Sequence, residues 1–264
     1  MRPLILLSND DGYAAPGLVA VHAELALHAD VVVCAPEVNQ SATSHSLSLH
    51  RVLRLREIEA AVFAIDGTPA DCVYVALHAG TRILPRRPDL VVSGMNHGLN
   101  LGSDVFYSGT VAAAREAAMR GLPSIALSAD LVADRAAAAA LGARLALALL
   151  AESRRAALRV APLLNVNIPT GSAWPVRATR IGARLYTEEV VFRQDPRGRE
   201  YLWIGGAGVR HDHVPGSDTE AFDEGCASVT PLTLDLSAPQ HEPTAAAVAA
   251  AVAAAAPASA DPAG

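Results

Sequence analysis

The chain has 264 residues, 51% of them hydrophobic, with a formal net charge of -6 and a sequence pI near 5.8. Its length and apolar content suffice for a large hydrophobic core. The acidic balance excludes nucleic-acid binding through bulk positive charge, but it allows a locally positive site for a small anionic substrate. Three widely spaced cysteines, no signal peptide and no apolar run of about 18 residues predict a cytoplasmic protein that does not bind membranes.

Hydrophobic strands alternate with helices through the first 170 residues. The pattern predicts strands over 4–9, 30–36, 51–58, 61–67, 88–94, 123–128 and 162–169, and helices over 17–29, 68–80, 109–121 and 131–157. Thr68 is the expected N-cap of the second helix, followed by Pro69 at the first helical position and Asp71 in the first turn. This βαβ order predicts a Rossmann-like, mostly parallel sheet flanked by helices.

The hydrophobic pattern of the sequence changes after Pro169. Strands over 179–206 are expected to turn at the "DPRG" cluster, Asp195 to Gly198. A short helix and a further strand follow, and the chain becomes rich in Ala and Pro from Ser237. We therefore divide the chain into an α/β core (1–170), a β-rich extension with an oligomerisation hairpin (171–236) and an Ala/Pro-rich tail (237–264).

Polar loops follow three of the predicted strands. Asn9, Asp10 and Asp11 follow the first strand, the loop 35–46 follows the second, and the loop 93–110 follows the strand at 88–94. Ligands of parallel sheets bind beyond the carboxyl ends of the strands, so these loops are expected to meet on one rim. Carboxylates with neutral oxygens and no His or Cys cluster favour Mg²⁺ or Mn²⁺ over zinc. Such a cation would also neutralise the adjacent carboxylates of Asp10 and Asp11.

An anion site is expected where the third loop enters a helix at Ser108, Gly109 and Thr110, because helix N-termini bind phosphate. His45 and His97 lie in the polar loops, either as acids or as ordinary loop residues. The pair His211 and His213 resembles a metal pair, but we interpret it as a solvated loop. The motifs of P-loop NTPases, dinucleotide-binding dehydrogenases and α/β-hydrolases are absent from the sequence.

Several segments together resemble the SurE (survival protein E) family of nucleoside monophosphate phosphatases. The matching segments span roughly Arg2 to Leu236, and they are "LLSNDDGYAAPG", "VVCAPEVNQSATSHSLSL", "DGTPADCVYVAL", "PDLVVSGMNHGLNLGSDVFYSGTVAAAREAAMRGLPSIALS", "LLNVNIP", "QDPRGREYLWIG" and "DEGCASVTPLTLDL". Two departures affect loop shape: the family often has Gly where Ser44 stands and usually has Pro where Leu99 stands.

The resemblance implies one divalent metal ion, Mg²⁺ or Mn²⁺, held by Asp10, Asp11, Ser41 and Asn96. It also implies hydrolysis of 5′- and 3′-nucleoside monophosphates, with polyphosphate as a substrate of some members. A homodimer or homotetramer that exchanges its β-rich extensions is implied as well.

On this basis we expect Asp10 and Asp11 to be catalytic, with Asp10 accepting the proton of the attacking water. Asn9, Asn100, Ser108, Gly109 and Thr110 are expected to bind the substrate. Two alternatives remain open at this point: a nucleotide-binding sensor without turnover, and a phosphatase in which an Asp itself attacks phosphorus, although its DxDx[TV] motif is absent. A mainly structural, oligomer-forming role of the β-rich half is compatible with the enzyme. The sequence leaves open the preferred base, the 5′ or 3′ phosphate, the physiological cation and the number of subunits.

Overall fold

The computed structural model describes residues 2–156, 160–186, 190–205 and 208–255. They form two compact units, Met1–Leu232 and Thr233–Gly264. The first unit contains five α-helices: α1 (Pro16–Ala26), α2 (Pro69–His78), α3 (Gly109–Met119), α4 (Arg135–Ala156) and α5 (Asp218–Asp223). The second unit contains α6 (Glu242–Ala255), an Ala-rich helix within the expected tail.

Thirteen strands are present in the described part of the first unit. They are β1 (Leu4–Ser8), β2 (Asp30–Pro36), β3 (Leu55–Glu59), β4 (Val62–Ile65), β5 (Leu90–His97), β6 (Ser124–Ala129), β7 (Leu163–Ile168), β8 (Val176–Ala178), β9 (Ala183–Tyr186), β10 (Val190–Gln194), β11 (Glu200–Ile204), β12 (Val209–Asp212) and β13 (Ala227–Leu232). Nine of them form one sheet in the order β3-β4-β2-β1-β5-β6-β7-β13-β8.

The middle of this sheet is parallel, from β4 through β2, β1, β5 and β6 to β7. The predicted Rossmann-like, mostly parallel sheet flanked by helices is therefore confirmed. From β1 the chain builds outward through β2 to β4, and it then returns to the other side of β1 as β5. This reversal makes the crevice between the carboxyl ends of β1 and β5 the expected ligand position.

Helices cover both faces of the sheet. On one face, α1 and α4 pack against strand residues such as Ile5, Leu7 and Leu127. On the other face, α2 and α3 pack against residues such as Leu4 and Leu6. Side chains of a strand alternate between faces, so the unbroken apolar run of β1 supplies both cores.

Local sequence signals account for most helix starts. Thr68 caps α2 as predicted, since its side chain accepts from Asp71 N and the Asp71 side chain accepts from Thr68 N. The predicted start of α4 at residue 131 was wrong: the helix begins at Arg135 because the Asp134 carboxylate accepts from Ala137 N and caps it.

Helix α4 is long and apolar enough to cross a membrane by length and composition alone. No segment of that kind was expected from the sequence. Yet 44% of the helix window concerned is buried within the protein, and α4 packs against α1, β5 and β6. These contacts are those of a core helix.

The region expected as a β-rich extension contributes to two parts of the fold. Strand β13 pairs antiparallel with β7, and β8 joins it at the sheet edge. Strands β9 and β12 form a separate pair, as do β10 and β11. The "DPRG" turn connects the latter two as predicted, with Gly198 N donating to Asp195 O at 2.9 Å.

His211 and Asp212 lie in β12, so the interpretation of these two residues as a solvated loop was wrong, whereas His213 follows the strand and is exposed. The His211 ring contacts Asp223 at 2.8 Å through Nδ1 and lies edge-on to the Phe222 ring. These contacts attach β12 to α5.

Candidate functional site

The carboxyl ends of β1 and β5 lie side by side, with Ser8 opposite Ser93 in the parallel register. Asp10 and Asp11 follow β1, and Asn96 stands near the end of β5. The pairing of β5 with β6 is irregular between Ser93 and Asn96. Gly94, with φ +131°, allows this bend, because a Cβ there would lie 2.3 Å from Leu127 O.

Asp10 is a buried carboxylate, with only 4% of the residue exposed. The Thr110 hydroxyl donates to Asp10 Oδ1 at 2.5 Å. Gly109 lies so close that a Cβ on it would approach Asp10 Cβ to 2.8 Å. Burial raises the pKa of Asp10 to about 6, although hydrogen bonds from Thr110 lower it. The first turn of α3, expected to cradle phosphate, therefore also holds a carboxylate of the protein itself.

Asp11 lies at the centre of a network that includes both other loops. Its Oδ1 accepts from Asn39 Nδ2 at 3.1 Å, and its Oδ2 accepts from the backbone N–H of His97 at 3.1 Å. Ser41 Oγ donates to Asn39 Oδ1 at 2.7 Å. Asn39 thus connects two of the expected metal ligands. Sequence reasoning missed Asn39, although its position two residues before Ser41 was a usable signal.

Asn96 is oriented by its own loop. Its Nδ2 donates to the carbonyl oxygen of Gly98 at 2.8 Å, and within the described part of the chain its Oδ1 accepts no hydrogen bond. A carboxylate or hydroxyl oxygen that takes part in one hydrogen bond retains a lone pair for a cation. Asp10, Asp11, Ser41 and Asn96 therefore all offer oxygen donors.

This oxygen donor set fits Mg²⁺ or Mn²⁺. The described residues contain no group of three or more His, Cys, Asp or Glu side chains that could hold a metal ion. Asp10 is buried and its carboxylate accepts a hydrogen bond from a neutral hydroxyl, so a cation bound there would neutralise its charge.

A cavity of about 930 Å³ opens beside these residues. Five residues expected in the site line it: Asp10, Ser41, Asn96, Asn100 and Ser108. His97 lines it too. A smaller cavity of about 250 Å³, lined by residues that include Asp11, Asn96 and His97, adjoins the same loops. The structure therefore brings the predicted metal ligands and two predicted substrate contacts around the same pair of cavities.

Three other predicted substrate contacts have structural tasks. The Asn9 side chain accepts from Gly12 N and donates to Gly12 O, so it closes the turn after β1. Thr110 is fully buried and its hydroxyl is bound to Asp10. Gly109 leaves room for that carboxylate. The Asn9 side chain and the Thr110 hydroxyl thus have hydrogen-bond partners within the protein, and their expected role in substrate binding stays a prediction.

The β-rich extension supplies the far wall of the larger cavity, which sequence reasoning did not foresee. Arg184 Nη1 donates to Asp104 Oδ2 at 2.9 Å, and Tyr186 OH donates to the same oxygen at 2.6 Å. Burial raises the pKa of Tyr186 to about 12, and its bond to Asp104 acts in the same direction. Val190 and Ile204 add apolar wall beside them.

Asp218 attaches the extension to the site loop. One carboxylate oxygen accepts from Gly102 N at 3.1 Å, and the other accepts from Gly182 N at 2.7 Å. Burial raises the pKa of this carboxyl, while the backbone donors lower it. Because residues 102 and 182 are distant in sequence, no local pattern could have indicated the contact.

His45 bonds to Glu116 rather than lining the site. The distance from its Nε2 to Glu116 Oε2 is 2.9 Å, and Glu116 is buried on α3. His45 therefore anchors the loop that carries Ser41. In the same loop, Ser44 has φ +56°, a conformation that favours glycine, and its hydroxyl donates to Phe106 O at 2.6 Å.

Comparisons with known proteins agree with this geometry. The family described as "Survival protein SurE" matches residues 5–188. "5'-nucleotidase SurE" of Sorangium cellulosum (strain So ce56) is 80% identical over 242 residues, which cover 92% of this chain and 94% of that protein. "5'-nucleotidase SurE" of Methylococcus capsulatus is 49% identical over 236 residues, 88% of this chain and 92% of that protein. The resemblance inferred from the motifs is confirmed.

A solved structure confirms the fold. The crystal structure of the SurE protein from Aquifex aeolicus matches with a TM-score of 0.77 at 35% sequence identity. The match covers 94% of this chain and 100% of that chain. The extra strands after β7 therefore belong to the shared architecture.

Proposed function

We propose that this chain, which belongs to the SurE family, is a metal-dependent 5′-nucleotidase that hydrolyses nucleoside 5′-monophosphates, and 3′-monophosphates, to nucleoside and inorganic phosphate. The observation that carries the proposal is the convergence of Asp10, Ser41 and Asn96 on one cavity with Asn100 and Ser108. Relatives named 5'-nucleotidase SurE at up to 80% identity support the same activity.

Asp10, Asp11, Ser41 and Asn96 would hold one divalent cation, Mg²⁺ or Mn²⁺. Such an ion supplies charge neutralisation for a phosphoryl group and acidifies bound water. Asn39 and the His97 N–H keep the Asp11 carboxylate in place through hydrogen bonds. Ser108 and Asn100 border the cavity and orient the phosphate there.

The reaction joins a water oxygen to phosphorus and breaks the ester bond to the nucleoside oxygen. We assign Asp10 as the acceptor of the water proton, because it borders the cavity and the Thr110 hydroxyl fixes its orientation. The departing nucleoside oxygen takes up a proton, so nucleoside and phosphate are the only products. Because Asp10 and Asp11 are adjacent, their two carboxyl groups titrate as a coupled pair.

The cavity favours a nucleotide over bare polyphosphate. Its wall combines polar residues near Asp10 with Tyr186, Val190 and Ile204 from the extension. Aromatic and aliphatic side chains of this kind suit the flat face of a base. We therefore expect faster turnover of nucleoside monophosphates than of polyphosphate.

The test is phosphate release from a panel of 5′- and 3′-nucleoside monophosphates and polyphosphate. It is run after EDTA treatment and after addition of Mg²⁺, Mn²⁺ or Co²⁺. We expect no release after chelation and recovery with a divalent ion. Binding of AMP without any release under every condition would favour a sensor module instead. Full activity after exhaustive chelation would contradict the metal requirement.

We also propose a homodimer or homotetramer in which the extensions are exchanged. The β10–β11 pair exposes large apolar side chains, with Trp203 64% and Ile204 85% exposed in this single chain. Apolar surface of this kind is typical of an interface. Light scattering of the intact protein and of Trp203→Arg tests this: a monomeric unaltered protein would contradict it.

The three free cysteines are buried, which suits the cytoplasm as the proposed location.

A further inference from the structure

Three of the polar side chains that are buried within the central strands share one hydrogen-bond partner. Ser128 lies on β6, and Asn165 and Asn167 lie on β7; each is at most 1% exposed. Their sequence neighbours Leu127, Val166 and Ile168 belong to the core under α1 and α4. By alternation the polar residues face α3. Burying an amide or hydroxyl is costly unless it is hydrogen-bonded, so their partner indicates their purpose.

All three side chains bond to one residue, Asn100. Asn167 Oδ1 accepts from Asn100 N at 2.7 Å, and Asn167 Nδ2 donates to Asn100 O at 3.1 Å. Asn165 Nδ2 donates to the same carbonyl at 2.8 Å. The Asn167 amide thus bonds to both the N–H and the carbonyl oxygen of Asn100, as the backbone of a neighbouring strand would.

Ser128 holds the side chain of Asn100. Asn100 Nδ2 donates to Ser128 Oγ at 2.8 Å. An amide nitrogen carries two hydrogens, so the second remains for another acceptor. Asn100 is 7% exposed and lines the large cavity.

We propose that Ser128, Asn165 and Asn167 are positioning residues that hold Asn100 so that its free N–H is directed to a phosphate oxygen of the substrate. The proposal rests on the proposed nucleotidase function. The two asparagines fix the backbone of Asn100, and Ser128 fixes its side-chain rotamer. A donor held in this way keeps its direction as charge develops on phosphorus, which a freely rotating amide does not.

Ser128→Ala is the decisive variant, because Asn167→Leu would remove the partner of the buried Asn100 N–H and could unfold the protein. Ser124→Ala is the matched control. Ser124 lies on the same strand and face, is equally buried, and its hydroxyl has no hydrogen-bond partner among the residues that the structure describes. We expect Ser128→Ala to lower kcat/KM for AMP about 10-fold, as partners of site residues typically do, and Ser124→Ala to leave it within about 2-fold.

The readout specific for positioning is a double-mutant cycle with Asn100→Ala. If Ser128 acts through Asn100, Ser128→Ala has no further effect on kcat/KM in the Asn100→Ala background. Equal losses in both backgrounds, an equal loss in Ser124→Ala, or an unaffected Ser128→Ala would overturn the positioning role while the unaltered protein still hydrolyses AMP. Absence of AMP hydrolysis by the unaltered protein overturns the proposed function and this inference with it.

Discussion

The two faces of the central sheet bury different chemistry. Under α1 and α4 the strands present an apolar layer that includes Ile5, Val92 and Leu127. Under α3 they present buried polar side chains towards their carboxyl ends, among them Ser128 and Asn167. Burial of the apolar layer stabilises the fold. Burying the hydroxyls and amides under α3 costs free energy, but their hydrogen bonds orient the site.

One sheet can therefore serve stability and chemistry at once. Residues that alternate along a single strand are assigned to separate tasks. On β6, Leu127 packs into the core under α4, while its neighbour Ser128 bonds to Asn100. Changes in the apolar layer under α1 and α4 should therefore alter the free energy of unfolding, and changes of the polar side chains under α3 should alter turnover.

The largest expected effect is on Asp10. Asp10→Asn removes a proposed ligand charge and the proposed proton acceptor together, so we expect kcat/KM for AMP to fall at least about 100-fold. The measurement is steady-state phosphate release at saturating Mn²⁺. Asp30→Asn, a change at an exposed carboxylate far from the cavity, is the control and should retain full activity. Turnover by Asp10→Asn within about 2-fold of the unaltered protein would contradict the role.

The apolar face should respond in the opposite way. Leu127 is fully buried, so Leu127→Ala should lower the free energy of unfolding by about 2–5 kcal/mol through lost burial and a residual cavity. The folded fraction should keep its kcat. Urea denaturation with AMP turnover in the absence of urea measures both quantities. A large loss of kcat in fully folded Leu127→Ala would contradict the division between the faces.

Two helical glycines provide a further test of the difference between the two faces. A Cβ at Gly109 would lie 2.8 Å from Asp10 Cβ and 3.0 Å from Pro69 Cγ, whereas one at Gly142 would lie 2.9 Å from Leu127 Cδ1. Asp10 and Pro69 cannot yield easily, but the end of a leucine can. We expect Gly109→Ala to lower kcat/KM about 10-fold and Gly142→Ala to leave it unchanged. Equal effects of the two substitutions on AMP turnover would show that the site tolerates displacement of Asp10.

Much of this organisation could be predicted from local sequence. The Thr68 and Asp71 cap of α2 was found because capping depends on neighbouring residues. The position of Asp10 and Asp11 beside Asn96 followed from βαβ topology, which places loops at the carboxyl ends of adjacent strands. Such signals are periodic or short in range.

The missed features depend on long-range pairing. Arg184 bonds to Asp104 across 80 positions, and Asn167 pairs with Asn100 across 67. The bond from the Thr110 hydroxyl to Asp10 was not predicted, because a hydroxyl at a helix start can serve a ligand or a neighbouring carboxylate equally well. Only the fold shows that Asp10 is the group placed there.

The smallest expected effect is a pH dependence that arises on the polar face. Burial raises the pKa of Asp10 to about 6 in the metal-free protein, above its usual value near 3.8. The folded state then binds more protons than the unfolded state between these values, so the contribution of Asp10 to stability is present below pH 4 and is lost as pH rises through 6. The difference in free energy of unfolding between chelated Asp10→Asn and chelated unaltered protein should grow by about 1–3 kcal/mol from pH 4 to pH 7. Urea titrations across that range measure it, and a difference that stays constant with pH would show that Asp10 is not a costly buried carboxylate. Saturating Mn²⁺ should stabilise the unaltered protein more than Asp10→Asn, because the charge that costs stability without a cation is the charge that a cation would bind.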